Sequence, residues 1–265
     1  MADNGMALIV PCLDMPKAFD RWPHLHLLAK IRSFGITDTL LPWINSYLSN
    51  RSQVFSINGH CSKPKPVTSG VIQGSFLGPL LFLMYINDIF LSVSHGTPFL
   101  FADDIKIVYS FKPECIASAI SNISEDISAL HRWCSTWQMN FSADKCEVLT
   151  YKCKLPPGSL TVCGSTIANK QIVRDLGLNY SCTFNFSEYS ALQVAKARKC
   201  LGLIFRSFQL RDCILFLYKS HARPLLEYCP LIFSSMRKSD RIGIESVQRS
   251  FTKRLIGWSS ALTYK

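Results

Sequence analysis

The chain has 265 residues, 48% hydrophobic and 18% charged, which excludes a disordered protein and leaves room for one large core or two smaller ones. Its longest uninterrupted apolar run, LLFLMYI (80–86), is far below the ~20 residues that span a bilayer, and its start, MADNG, lacks a basic signal-peptide head. The expected setting is therefore intracellular, in cytoplasm or nucleus, neither secreted nor in a membrane.

Along the chain, ALIVPCL (7–13) reads as a buried strand ending at Asp14, with Pro11 pointing to an edge position or a bulge. HLLAKIRSFG (26–35) and TDTLLPWINSYLSN (37–50) read as helices. Residues 52–70 alternate around Asn58-Gly59, a hairpin signal. GPLLFLMYINDIFLSV (78–93) is apolar nearly all round and reads as a buried helix. FLFADDIKIVY (99–109) follows as strand, turn and strand. Ile116, Ile120, Ile123, Ile127, Leu130, Cys134 and Trp137 then form one apolar stripe of a long helix. CEVLTY (146–151), LTVCG (160–164) and IVRDLGLNYS (172–181) read as short strands, and three helices interleaved with basic residues fill 190–209, 211–228 and 241–257. This order predicts an α+β fold, an antiparallel sheet backed by helices, spanning 1–188, followed by a helical segment at 189–265.

Charge follows the same division. Residues 190–265 carry 14 Lys and Arg against 4 Asp and Glu, a net +10, whereas residues 1–189 carry 15 against 14. A basic segment on a near-neutral domain suits a polyanion such as nucleic acid, or equally a solvated helical surface. The 11 cysteines are scattered, with no C-x-x-C, and are expected to be mostly buried small apolar side chains rather than disulfides or zinc ligands.

The chemistry concentrates in three carboxylates. Asp14 ends the first strand, and Asp103 and Asp104 occupy the hairpin turn. Adjacent aspartates suit a turn for its own sake, because Asp bonds its own backbone. Three carboxylates brought to one sheet edge would instead repel one another unless a cation neutralised them, and hard oxygen ligands suit Mg²⁺.

LDMPKAFDR (13–21), TSGVIQGSFLGPLLFLMYINDI (68–89) and FADD (101–104) together resemble three successive motifs of the reverse transcriptase palm. The wider text, including PWINSYLSNRSQV, RWCSTWQMNFSADKCEVL, DLGL and KARKCLG, resembles non-LTR, LINE-like retrotransposons. The resemblance implies an RNA-directed DNA polymerase that extends a primer 3′-hydroxyl with dNTPs on an RNA template. It implies Asp14, Asp103 and Asp104 as metal ligands for two Mg²⁺ ions, with Mn²⁺ as a substitute. Phe19 would lie under the sugar and reject a ribose 2′-hydroxyl, Gln73 and Gly74 would contact the incoming nucleotide, and Lys145 would donate a proton near the pyrophosphate. The basic C-terminal segment would be the thumb, against an RNA template and DNA primer. Ile72, Pro16, Trp22 and Ser142 depart from the motif. With Asp14 so near the start, the fingers are expected to be largely missing, and the alternative reading is an inactive truncated remnant that at most binds nucleic acid.

Overall fold

The structure, a computed structural model, describes residues 5–257 and falls into two compact units divided between Lys170 and Gln171. The division precedes the expected 188/189 boundary because the 172–181 segment packs with the second unit. There Leu178 is buried with Phe186, Tyr189, Ile232 and Met236, ahead of the point where the charge changes.

The first unit is built on a five-stranded sheet. In chain order its elements are β1 (Ala7–Asp14), α1 (Ala18–Arg21), α2 (His24–Ser33), α3 (Leu40–Leu48), the short strands β2 (Ser52–Gln53), β3 (Ser56–Ile57), β4 (His60–Cys61) and β5 (Lys65–Pro66), and α4 (Leu77–Ile86). There follow β6 (Thr97–Phe101), β7 (Asp104–Phe111), α5 (Ile116–Thr136), β8 (Glu147–Tyr151), β9 (Thr161–Val162), β10 (Ser165–Thr166) and β11 (Ala168–Lys170). The sheet order is β11-β8-β1-β7-β6, so β1 is the central strand.

Pro11 is thus neither at an edge nor in a bulge. It faces Val148 of β8, while β1 meets β7 through Ala7–Ile9 and again through Cys12–Asp14 in one unbroken register. A proline removes a single donor, and the two flanking ladders hold the strand around that gap. A second difference is that β11 runs parallel to β8, so the sheet is mixed rather than wholly antiparallel.

Burial explains the helices. Ile123, Ile127, Leu130 and Cys134 of α5 enter the core beside Ile105 and Ile107 of β7, as their four-and-three spacing requires. α4 is buried on one face only: Leu81, Phe82, Tyr85 and Ile86 are covered, whereas Leu80 and Leu83 stand half exposed, and Phe76, just before the helix, is fully exposed. Its all-round apolar sequence therefore overstates its burial. The Asn58-Gly59 turn joins β3 to β4 as its sequence predicts.

One buried carboxylate fixes the open end of the β6–β7 hairpin. Asp126 of α5, 1% exposed, accepts the backbone N–H groups of Ser94 (2.8 Å), His95 (3.1 Å) and Gly96 (3.1 Å) and the Tyr109 hydroxyl (2.8 Å). Four donors satisfy a charge that would otherwise be costly to bury. Burial, and then the Asp126 contact, push the Tyr109 phenol well above its ordinary range.

The second unit contains the hairpin β12 (Ile172–Asp175) and β13 (Leu178–Ser181), then α6 (Ser187–Ser207), α7 (Arg211–Leu217), α8 (Arg223–Glu227) and α9 (Lys238–Ile256). The 172–181 segment is therefore two strands about a Leu176-Gly177 turn rather than one. The helix expected at 211–228 widens by a π-type turn over Tyr218–Ala222 before Pro224, whose ring would clash with the carbonyl of a regular preceding turn. Ala197, Leu201, Ile214, Tyr218, Val247 and Phe251 form its core, with the Tyr218 and Phe251 rings stacked at 3.8 Å.

Candidate active site

Asp14, the last residue of β1, is paired directly with Asp104, the first of β7. Directly opposed residues of an antiparallel pair share a sheet face with Cα atoms about 4.5–5.5 Å apart, a placement that is unfavourable for like charges. Ala102 and Asp103 form the two-residue loop between Phe101 and Asp104, and Ala102 adopts a φ of 52°. A left-handed alanine at the first loop position is strained, and this strain lies beside the carboxylates.

The turn Ala143–Lys145 docks on the end of β1, where the Ser142 N–H donates to the Asp14 carbonyl at 3.0 Å. This brings Lys145 Nζ to 3.3 Å from Asp14 Oδ1. The contact is an ion pair without hydrogen-bond alignment: Asp14 Oδ1 is buried and has no hydrogen-bond partner. A buried carboxylate oxygen without an aligned donor retains unmet acceptor capacity.

Phe19 and Gln73 are held by two further elements. The Phe19 ring of α1 stacks on Phe82 of α4, with centroids 4.2 Å apart and planes at 26°. Gln73, in the exposed loop before α4, donates from Nε2 to Asp20 Oδ1 at 3.0 Å. Gly74 follows with a φ of +82°, and a Cβ there would meet no atom within 4 Å. The structure thus joins Asp14 to Asp104 and Lys145, sets Asp103 in the adjoining turn, and ties Gln73 to the helix that carries Phe19.

Two residues of this region were not singled out in the sequence. Gly70 has no space for a side chain, since a Cβ would fall 2.5 Å from both Asp20 Cα and the Phe19 carbonyl oxygen. Asp20 accepts the Gln73 amide. The only sequence signal for either was its position within the motifs LDMPKAFDR and TSGVIQGS. Gly70→Ala is expected to cost about 3 kcal/mol or more, combining overpacking with left-handed strain, and Gly74→Ala about 1–2 kcal/mol from strain alone. Urea titration of the two variants measures the difference.

Among the described residues, no three His, Cys, Asp or Glu side chains are arranged to hold a metal ion by themselves. Only Cys134 and Cys146 of the 11 cysteines are buried, fewer than expected, because most of the others lie in turns and on helix surfaces. Burial pushes the Cys134 thiol up to about 12 and raises that of Cys146. No described helix is long and apolar enough to cross a membrane.

Comparison with known proteins decides the family. The family model described as "Reverse transcriptase (RNA-dependent DNA polymerase)" matches residues 1–205. The chain belongs to the reverse transcriptase family. It is a LINE-like member, 27% identical over 263 residues to the RNA-directed DNA polymerase from mobile element jockey of Drosophila melanogaster. That alignment covers 92% of this chain and 28% of the relative. The jockey polymerase of Drosophila funebris is 31% identical over 183 residues, 65% of this chain and 20% of that protein. The chain thus spans less than a third of the length of these relatives. Among solved structures, apo telomerase from Candida tropicalis is similar at a TM-score of 0.49 and 12% identity, covering 94% of this chain and 47% of that one.

Proposed function

We propose that this reverse transcriptase domain is an RNA-directed DNA polymerase that adds dNTPs to a DNA primer on an RNA template. The observation that carries the reading is the opposition of Asp14 and Asp104 beside the Asp103 turn, with Asp14 Oδ1 buried and without a donor. The first unit is read as the palm and the second as the thumb, so the palm–thumb boundary proposed from the sequence at 188/189 moves to Lys170/Gln171.

The donor set fits the divalent ions that this family uses. Mg²⁺ is commonly held by one or two carboxylates, with substrate phosphates and water completing the shell, so a full protein cage is not required. Asp14, Asp103 and Asp104 would hold two Mg²⁺ ions, or Mn²⁺ in their place. When bound, such ions lower the pKa of the primer hydroxyl and neutralise charge on the leaving pyrophosphate.

The remaining work falls to the chain itself. Lys145, exposed at its tip and held near Asp14, is placed to give a proton to pyrophosphate. Phe19, backed by Phe82, cannot swing away from a sugar 2′-hydroxyl, which favours dNTPs. Gln73 offers an amide to the incoming nucleotide, and the open space at Gly74 lets a strand approach the backbone. The basic helices α6 and α9 present Lys196, Arg198, Lys199, Lys253 and Arg254 to template–primer phosphates.

The test is primer extension by the full chain on an RNA template with Mg²⁺. The expected result is template-directed addition of dNTPs in preference to rNTPs, with duplex binding that weakens steeply as salt rises. No extension at any Mg²⁺ or Mn²⁺ concentration, with duplex binding retained, overturns the polymerase reading.

A further inference from the structure

The second aspartate of LDMPKAFDR has no part in the reaction described above, yet its side chain is the partner of Gln73. Its setting separates backbone from side chain. The backbone around Asp20 is interlocked with the segment before α4: the Val71 N–H donates to the Phe19 carbonyl and the Gly70 N–H to the Trp22 carbonyl, each at 2.9 Å. The Ser69 hydroxyl donates to the Asp20 carbonyl at 2.8 Å, and His24 Nε2 lies 2.8 Å from the Gly70 carbonyl. None of these bonds uses the Asp20 carboxylate. That group is exposed and meets the Gln73 amide at 3.0 Å, at the edge of a groove of about 650 Å³ also lined by Lys17 and Arg51.

We propose that Asp20 is a positioning residue that fixes the orientation of the Gln73 carboxamide and thereby sets affinity for the incoming nucleotide. A carboxylate is an acceptor only, so it selects the NH₂ end of the amide and turns Gln73 Oε1 the other way. Without that acceptor the amide is free to rotate, and Gln73 offers a donor and an acceptor interchangeably. Uniform binding then weakens while the chemistry at Asp14 and Asp104 is untouched. The proposal rests on the polymerase reading for its link to the nucleotide.

The experiment is steady-state extension by the full chain carrying Asp20→Ala or Asp20→Asn, paired with NMR of the Gln73 side-chain NH₂ in the absence of nucleotide. The Ala variant is expected to raise the KM for dNTP about fivefold, as for one lost charge-assisted hydrogen bond, with kcat within about twofold. The Asn variant keeps a carbonyl acceptor and is expected to restore KM to within about twofold of the wild-type chain. The NMR arm is independent of activity: the two Gln73 amide protons should be well separated in the wild type and in Asp20→Asn, and collapse towards free-glutamine positions in Asp20→Ala. A fall in kcat at unchanged KM, an Asn variant no better than Ala, or amide signals indifferent to Asp20 overturns the proposal. If the wild-type chain extends no primer, the polymerase reading fails, and the amide signals alone decide whether Asp20 orients Gln73.

Discussion

Asp14→Asn is expected to lower primer extension by about a thousandfold or more, equivalent to about 4 kcal/mol of transition-state stabilisation, while leaving the chain folded. Asparagine matches aspartate in shape but removes half the hard-ligand strength of the group whose Oδ1 lacks a donor. Stability should move the other way or not at all. Asp14 faces Asp104 across the β1–β7 ladder, and neutralising one of two opposed carboxylates relieves about 0.2–1 kcal/mol of repulsion. The Lys145 contact offsets this only slightly, because the Lys145 side chain is 60% exposed and the pair lacks hydrogen-bond alignment. Asp103→Asn should behave alike in extension. Extension rates and urea midpoints measured on the same samples make the check: a variant that loses activity and stability together would show that Asp14 is a structural residue.

How much of this was legible in the sequence depends on the range over which each feature is decided. Asp14 and the hairpin turn could be placed to within one residue because short apolar runs mark their strands; the turn expected at Asp103-Asp104 is Ala102-Asp103, and Asp104 already belongs to β7. The α5 stripe and the Asn58-Gly59 turn are equally local. Pro11 misled because its cost is one hydrogen bond, whereas the position of β1 is set by its pairing with β7 and β8, both distant in sequence. The parallel β11 and the Leu176-Gly177 hairpin carry too few residues for any period to emerge. Asp126 was invisible for the opposite reason. An aspartate between helix-forming neighbours reads as solvent-facing, and only the folded chain brings four donors to it.

Lys30 shows the same blindness to long-range partners, and it yields the second large effect. It lies on α2 at 3% exposure, with Nζ 2.5 Å from both the Tyr85 carbonyl and Asp88 Oδ1. Three rings surround the ammonium, with centroids at 4.9 Å (Tyr85), 4.4 Å (Trp133) and 3.9 Å (Trp137). Trp133 Nε1 also donates to Asp88 Oδ1 at 3.1 Å. The cluster thereby ties α2 to the C-terminal end of α4 and to α5. Burial lowers the Lys30 pKa despite the opposing pull of Asp88, so the folded state binds this proton less tightly than the unfolded chain does. By linkage, the charged lysine costs stability at neutral pH, and that cost fades as pH rises towards the ordinary lysine range. Lys30→Met is nonetheless expected to destabilise by about 3 kcal/mol, because it strands the Tyr85 carbonyl and leaves Asp88 without its cation. The figure is the low end for a broken buried pair, since the Asp88 side chain is 36% exposed and keeps some water. Lys30→Met with Asp88→Asn should recover most of the loss, because the neutral pair no longer buries an unmatched charge and the Met stem still fills the ring cage. Urea unfolding of the single and double variants reads this directly. A double variant as unstable as the single would mean that the rings around the ammonium, rather than Asp88, hold α2 in place.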